Sequence, residues 1–484
     1  MWAKQREALE TAISRVDRNR GVCLYMEMGT GKTRVAVHLL EHLFREHGAK
    51  LVYVAAPLAV LHVWLDNWYD WATAPVAFID LHETGSAGLR MAKALVADGF
   101  PVICLVNYEA SWQIGFKRIA RRRQGEEVRI LEQVDTAMHD LDWDVGILDE
   151  STAIKTPGSK VSKYFRRKMA PKSKHRIIMT GTAYTKRPLD VWAQINFACG
   201  AEVFSPVFLP FKTLYSIPHP AIRGAILGYQ NLDDLAYRMS KVAILLKKVD
   251  VLDLPPAVHE TRIVDLCPKS RKVYDTLVEE TIAELDNDDS VSADHIFAVI
   301  CKLRQITGGF VYPDPTEDAP DVTPPPAMLG TEKLEALMDI LENRDSPTVI
   351  VTQFDQEERL IAAAIKKRFN FTPKILNGSV KGAEARHDMI AAAADDLAFI
   401  VKERVGSRGV DMKFADMIIF YSHGYDTEGY TQMLSRNHRG GQTKNITYIH
   451  LLCKDTIDIK IMRSLKKDIS LAASIEHDWK AVLK

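Results

Sequence analysis

The stretch Tyr25 to Arg34, YMEMGTGKTR, constrains the fold of this chain more than any other. It follows the short apolar run Val22-Cys23-Leu24 and opens a segment in which Ala36, Leu39, Leu40 and Leu43 recur at helical spacing. It therefore reads as strand, glycine turn, helix. In such a turn Gly29 and Gly31 let backbone N–H groups approach a polyphosphate. Lys32 sets a point charge on the outer phosphates, and the Thr33 hydroxyl is placed to hold Mg2+. Met28, Thr30 and Arg34 complete the candidate nucleotide-binding loop. The general pattern G-x-x-x-x-G-K-T opens with a glycine, and Met26 stands in that place here.

A loop of this kind needs a parallel sheet behind it. Short apolar runs alternate with helical patterns at Val22 to Leu24, Leu51 to Ala55, Val102 to Val106, Val145 to Leu148 and Arg176 to Met179. The expectation for residues 1–199 is an α/β lobe with ligand sites at the carboxyl ends of its strands. Residues 200–311 turn to longer helical segments, such as Ser270 to Leu285 and Asp294 to Ile306, and read as a helical bridging region. The acidic, proline-rich stretch at 312–330 reads as a linker or loop. Alternation then returns over 331–454, with strands at Thr348 to Val351, Lys374 to Leu376, Ala398 to Val401, Met417 to Tyr421 and Ile446 to Ile449. A C-terminal helix, Asp455 to Ala472, lies within 455–484.

With 484 residues, 47% apolar content and a formal net charge of +0, the chain is globular, and any nucleic-acid surface on it must be a local patch. The six cysteines are scattered without a C-x-x-C pair, which argues for reduced thiols over disulfides or zinc. No apolar run is long enough to span a bilayer and MWAKQREALE has no signal-peptide core, so no membrane partner and a cytoplasmic location are expected.

The apolar strand Val145 to Leu148 runs into Asp149-Glu150. An acidic pair at a strand tip beside a phosphate loop suits Mg2+-assisted phosphoryl transfer, with Asp149 on the metal through water and Glu150 on the attacking water. Lys155, Lys160, Lys163, Arg166, Arg167, Lys168, Lys172, Lys174 and Arg176 follow with no acidic residue among them. They read as a patch for a phosphate backbone or as a solvated helix face. Lys117, Arg118, Arg121, Arg122 and Arg123 read as a basic loop surface. Thr180-Gly181-Thr182, at a strand end, is placed to relay the state of the γ-phosphate. Gln432, Arg436 and Arg439, at spacings of four and three, share one face if helical. They are then either a salt-bridged surface or, for the arginines, fingers that stabilise transition-state charge.

In order along the chain, these elements resemble the superfamily 2 helicase-like ATPases, most closely the Swi/Snf-type branch. Met26 to Thr33 is similar to the branch's D-E-M-G-L-G-K-T loop, with Met26 for the aspartate. Lys4-Gln5 resembles its glutamine motif, which makes Gln5 the implied adenine contact. Ala55-Ala56-Pro57-Leu58 and Trp64 resemble a strand end that touches DNA, and Asn377-Gly378-Ser379 through Arg386 resembles G-S-x-x-x-x-x-R. Thr180 to Phe197, Lys302 to Ile306, Gly406 to Asp411, Gln432 to Gln442 and Thr456-Ile457-Asp458 resemble further motifs in sequence. Departures are Thr152 for a histidine, Ala183 for a proline, Glu403 for a hydroxyl residue, Ser407 for a glycine and Asp411 for an asparagine.

The resemblance implies two RecA-like lobes with ATP and Mg2+ in the cleft between them. Gly409 and Asp411 join the nucleotide set, and Gln432 joins Thr180, Gly181 and Thr182 in coupling. It implies DNA contacts at Pro57, Lys155, Lys160, Lys163, Arg166, Arg167, Gly378 and Ser379, although a carboxylate at Glu403 is unfavourable beside a DNA backbone. The expected protein is a DNA-dependent ATPase that translocates on or remodels double-stranded or branched DNA in replication, recombination or repair. A strand-separating or branch-migrating helicase and a motor subunit of a restriction or defence assembly are the alternatives. A nuclease or a replication or recombination protein is the implied partner. With almost nothing outside the motifs, a compact bacterial or phage protein is the expectation. Intact Lys32, Asp149, Glu150 and Arg439 argue against a degenerate site.

Overall fold

Strands that are apolar on both sides need helices on both sides, and this chain provides them twice. The structure is a computed structural model that describes all residues except 20, 124–125, 182–186, 221–225, 252–253, 288–292, 314–323, 381, 408–409 and 468–484. It divides into two compact units, Met1–Asp253 and Leu254–Lys484. The first holds a seven-stranded parallel sheet of β1 (Gly21–Met26), β2 (Leu51–Ala56), β3 (Ala77–Asp80), β4 (Val102–Asn107), β5 (Trp143–Asp149), β6 (Ser173–Thr180) and β7 (Ala243–Leu246). Their order is β7-β1-β6-β5-β2-β4-β3.

Alternation along β1 shows how both faces are used. Cys23 and Tyr25 enter the core on one face, and Val22, Leu24 and Met26 enter the core on the other. On that second face lie α1 (Ala3–Asn19) and α2 (Lys32–His47), which share a core through Ala8, Ala12 and Val16 of α1 and Val35, Leu39 and Leu43 of α2. The order of the strands matters for the site. Because β1, β6 and β5 are neighbours and parallel, the glycine loop, Thr180-Gly181 and Asp149-Glu150 all leave the sheet at one end, side by side.

The second unit repeats the plan with six parallel strands, β8 (Ala257–Val264), β9 (Thr348–Thr352), β10 (Lys374–Leu376), β11 (Ala398–Lys402), β12 (Met417–Phe420) and β13 (Ile446–Cys453), in the order β8-β13-β12-β9-β11-β10. Val349 and Val351 face one core and Ile350 the other.

Each strand read from the sequence is present, and three strands of the two parallel sheets were not read. The β3 and β7 strands have four residues each, and β7 lies in the region read as helical, while β8 mixes polar and apolar residues and is exposed along most of its length. The region 200–311 does carry helices at Pro268–Asn287 and Ala293–Thr307. It also carries β7, β8 and a hairpin of Ser216–Pro218 with Ile226–Tyr229, so it gives an edge strand to each sheet. Lys117 to Arg123 lies on a strand and not on a loop. Phe116–Arg123 pairs with Glu126–Gln133 in a register that sets Lys117 opposite Glu132, where opposite charges favour the pairing. Of the proline-rich stretch, residues 314–323 lie outside the described residues, and Phe310–Val311 pairs with Ala327–Met328 across it. All six cysteines are free, with Cys23, Cys104, Cys199 and Cys453 buried.

The described part of the last helix is Ile457–Lys467, and Asp458 fastens its start. The buried Asp458 carboxylate accepts from Lys333 Nζ at 2.6 Å, Thr307 Oγ1 at 3.0 Å and Cys453 N at 3.1 Å. Removing one member of a buried pair leaves the other charge without compensation. Lys333→Met should therefore destabilise the second unit by about 3 kcal/mol, read as a lower urea midpoint. An unchanged midpoint would show that Asp458 does not depend on Lys333.

Candidate nucleotide site

The glycine loop is held in a conformation that only glycine adopts easily. Gly29 and Gly31 have φ of 85° and 87°, in the left-handed region. A Cβ on Gly31 would also sit 2.1 Å from Gln5 Nε2. Gln5 is 2% exposed, one turn before Ala8 on the buried stripe of α1. Its Nε2 donates to the Thr30 carbonyl at 2.9 Å and its Oε1 accepts from Trp2 N at 3.0 Å, which leaves one amide hydrogen for any other partner. On the other side Glu27 ties the loop to the edge strand. Its backbone N donates to the Leu246 carbonyl at 2.9 Å, and its carboxylate accepts from Lys248 N at 2.7 Å. Thr30 Oγ1 donates to the Glu27 carbonyl at 2.6 Å. No local pattern marks the role of Glu27, because its partner Lys248 lies 221 residues away in sequence.

Beside this loop the ends of β5 and β6 bring the acidic pair and Thr180-Gly181 together with Lys32. Lys32 Nζ lies 4.0 Å from Glu150 Oε1, and Thr180 Oγ1 donates to Glu150 Oε2 at 3.3 Å. A Cβ on Gly181 would meet Met28 Cγ at 2.9 Å and Met28 N at 3.2 Å, so glycine there lets β6 pass close to the loop without displacing Met28. Asp149 is 3% exposed. Its Oδ2 accepts from Trp64 Nε1 at 3.0 Å, its Oδ1 accepts from Glu150 N at 2.9 Å, and its carbonyl accepts from Tyr108 OH at 2.8 Å. Burial, reinforced by the adjacent Glu150 charge, pushes the Asp149 carboxyl up to about 6, against the opposing pull of Lys32 and Trp64.

Successive carboxylates, with the Thr33 hydroxyl at the head of α2, are an oxygen donor set of the kind Mg2+ takes. The raised pKa of Asp149 marks a place short of positive charge, which a divalent cation fits.

Several residues assigned from sequence stand differently. Trp64 is fully buried and holds Asp149, so it does not lie on a DNA-facing surface. Pro57 is half-buried at the end of β2. In the basic segment, Lys160, Lys163 and Arg167 are exposed and Lys155 is half-buried. Arg166 is tucked in: it donates to the Pro157 carbonyl at 2.7 Å and to Ser162 Oγ at 3.1 Å, and stacks over Trp192 at 4.5 Å. Lys172 pairs with Asp142 at 2.8 Å. Arg34 lies over Trp71 at 5.5 Å.

In the second unit the helix carrying Gln432 is Thr427–Leu434 and stops before the arginines, so the shared helical face does not form. Ser435 Oγ turns back to the Gln432 carbonyl at 2.7 Å, a local bond that competes with helix continuation. Arg436 donates to the Ser407 carbonyl, and its own carbonyl accepts from Met412 N at 3.2 Å. Asp411 Oδ2 lies 3.7 Å from Arg439 Nη1 and 3.3 Å from Lys413 Nζ, so Arg439 is part of a surface ion-pair group. Glu403 is not a surface carboxylate. It is buried, accepts from Gln353 Nε2 and from Gly424 N at 3.1 Å, and burial pushes its pKa up to about 7. Gly378 and Ser379 are exposed at the end of β10, where Asn377 Oδ1 accepts from Ser379 N and Oγ at 3.0 and 2.6 Å. Thr182 and Gly409 lie outside the described residues.

A carboxyl whose folded pKa is raised favours folding below its unfolded value and loses that contribution as pH rises through the folded one. Without nucleotide or metal, ionised Asp149 is therefore a burden at neutral pH. Asp149→Asn should raise the melting temperature of the metal-free protein at pH 7.5 by roughly 5 °C and leave it nearly unchanged near pH 4. Thermal unfolding at the two pH values checks the difference, and equal shifts at both would remove ionisation as its cause.

Comparison with known proteins gives the family. Residues 4–308 match the SNF2-related domain and residues 332–441 the helicase conserved C-terminal domain. The ISWI chromatin-remodeling complex ATPase ISW1 of Saccharomyces cerevisiae is 22% identical over 95% of this chain and 39% of its own length. The chain thus spans about two fifths of that relative. The putative protein p41 of Acyrthosiphon pisum secondary endosymbiont phage 1 is 25% identical over 90% of both chains. A solved Sulfolobus solfataricus SWI2/SNF2 ATPase core in complex with dsDNA is 21% identical and covers 98% of this chain and 92% of that one. The TM-score of that match is 0.44. No helix among the described residues is long and apolar enough to cross a membrane. With more than half of its length matched by the SNF2-related domain, the chain belongs to the SNF2-related family of helicase-like ATPases.

Proposed function

We propose that the protein is a duplex-DNA-dependent ATPase that translocates on or remodels double-stranded DNA with little strand separation. The observation that carries this reading is Lys32, 4.0 Å from Glu150 and beside buried Asp149, at the joint exit of β1, β5 and β6. The loop N–H groups and Lys32 bind the phosphates of ATP. Phosphate oxygens then compete with Glu150 for the ammonium, and Glu150, released from Lys32, accepts a proton from the attacking water. Mg2+, held by Asp149 with the Thr33 hydroxyl, would neutralise phosphate charge. Gln5 serves the loop through Thr30, and Thr180 keeps Glu150 aimed by its hydrogen bond. Arg436 and Arg439 are the proposed cations for the charge that develops on the transferred phosphoryl group. The yeast relative is named as a chromatin-remodeling ATPase, which supports ATP-driven work on DNA. Lys160, Lys163 and Arg167 are the exposed cations for the duplex backbone.

ATP hydrolysis measured against duplex, branched and single-stranded DNA and RNA tests the reading. Duplex DNA should stimulate the rate most, and equal rates with and without it would overturn the proposal. Thr180→Val should lower kcat roughly tenfold with KM little changed, as expected for a lost hydrogen bond to a charged group. Lys160→Glu/Lys163→Glu/Arg167→Glu should weaken duplex binding and flatten log K against log salt by about 3. Unchanged binding would make that face a solvated one.

A further inference from the structure

We propose that Asp17, His42 and His47 form a binding site for Zn2+ that clips α1 to α2. The three side chains come from the last turn of α1 and the last two turns of α2. Asp17 Oδ1 lies 3.3 Å from His42 Nε2 and 2.8 Å from His47 Nε2, and all three donor atoms lie within 4.8 Å of one another. Tetrahedral coordination with bonds of about 2.0 to 2.1 Å sets donor atoms about 3.3 Å apart. The observed spacing needs only small rotamer changes to reach that figure.

The donor chemistry selects the ion. Two imidazoles and one carboxylate favour Zn2+ over Mg2+, which takes oxygen ligands, and they leave a fourth position for water. Side-chain exposures of 21% for His42, 27% for His47 and 40% for Asp17 keep the trio open to an incoming ion. The ring of His47 is also packed: it meets the buried His175 ring edge-on at 5.0 Å and the His42 ring at 5.6 Å. A ring held in this way is partly oriented before any ion arrives.

The clip joins the two helices that frame the nucleotide loop. The α1 helix brings Gln5 to the Thr30 carbonyl, and α2 begins at Lys32. Bound Zn2+ would fix their far ends to each other and stabilise the first unit by linkage, independently of whether ATP is hydrolysed.

The test uses the full chain with excess Mg2+ present, so that the acidic pair is not the site observed. ZnCl2 titration by calorimetry should show one equivalent bound, with a raised melting temperature. Co2+ should give the intense visible absorption of a four-coordinate N/O site without thiolate charge transfer. His42→Gln and His47→Gln, which keep hydrogen-bonding side chains, should each weaken Zn2+ binding by about tenfold or more. Their metal-free melting temperatures should stay near the wild-type value. Asp17→Asn should weaken binding as well. Zn2+ uptake that is absent in the wild-type chain, or equal in wild type and the variants, would overturn the assignment. A thiolate-to-cobalt band would do the same, by placing the ion on cysteine.

Discussion

One ammonium, Lys32, stands against two carboxylates on successive residues at the end of a buried strand. Two opposite charges at 4 Å attract by about 4 kcal/mol at the effective dielectric of a protein surface. Lys32 lies within ion-pair distance of Glu150 and also pulls on Asp149. Burial, with the adjacent Glu150 charge, raises the Asp149 pKa, and the groups together suit a polyphosphate at the lysine and a divalent cation at the acids. The rest of the first unit can be understood as the apparatus that keeps these three groups together.

That apparatus is mostly backbone. A parallel sheet with β1, β6 and β5 adjacent brings three strand ends to one place, and glycine at positions 31 and 181 lets them close up. Side chains then lock the result from outside. Gln5 holds Thr30 from α1, Glu27 reaches β7, Trp64 holds Asp149 and Thr180 holds Glu150. The family to which the chain belongs matches across both units, and the second unit builds its own sheet on the same principle.

The loop, the acidic pair and the inner strands were legible in the sequence because each depends on local pattern: glycine spacing, an apolar run ending in Asp-Glu, alternation of strand and helix. What was not legible depends on distant partners. Trp64 looked like a surface contact until its indole N–H was seen to serve a buried carboxylate. Glu403 looked like a charge on a DNA face, yet Gln353 and Gly424 satisfy it in the interior. The β7 strand is only four residues long and pairs with β1 more than two hundred residues away, and β8 is exposed along most of its length. Spacing alone placed Gln432, Arg436 and Arg439 on one helical face, but a helix can stop between two such positions, and Ser435 helps stop this one.

The central claim is a division of labour: Lys32 binds phosphate and Glu150 moves the proton. Nucleotide affinity and single-turnover hydrolysis, measured together on Glu150→Gln, test it most directly. The account predicts ATP affinity close to wild type with hydrolysis slower by about 10² or more, the usual share of a general base. Hydrolysis near the wild-type rate in that variant would contradict it.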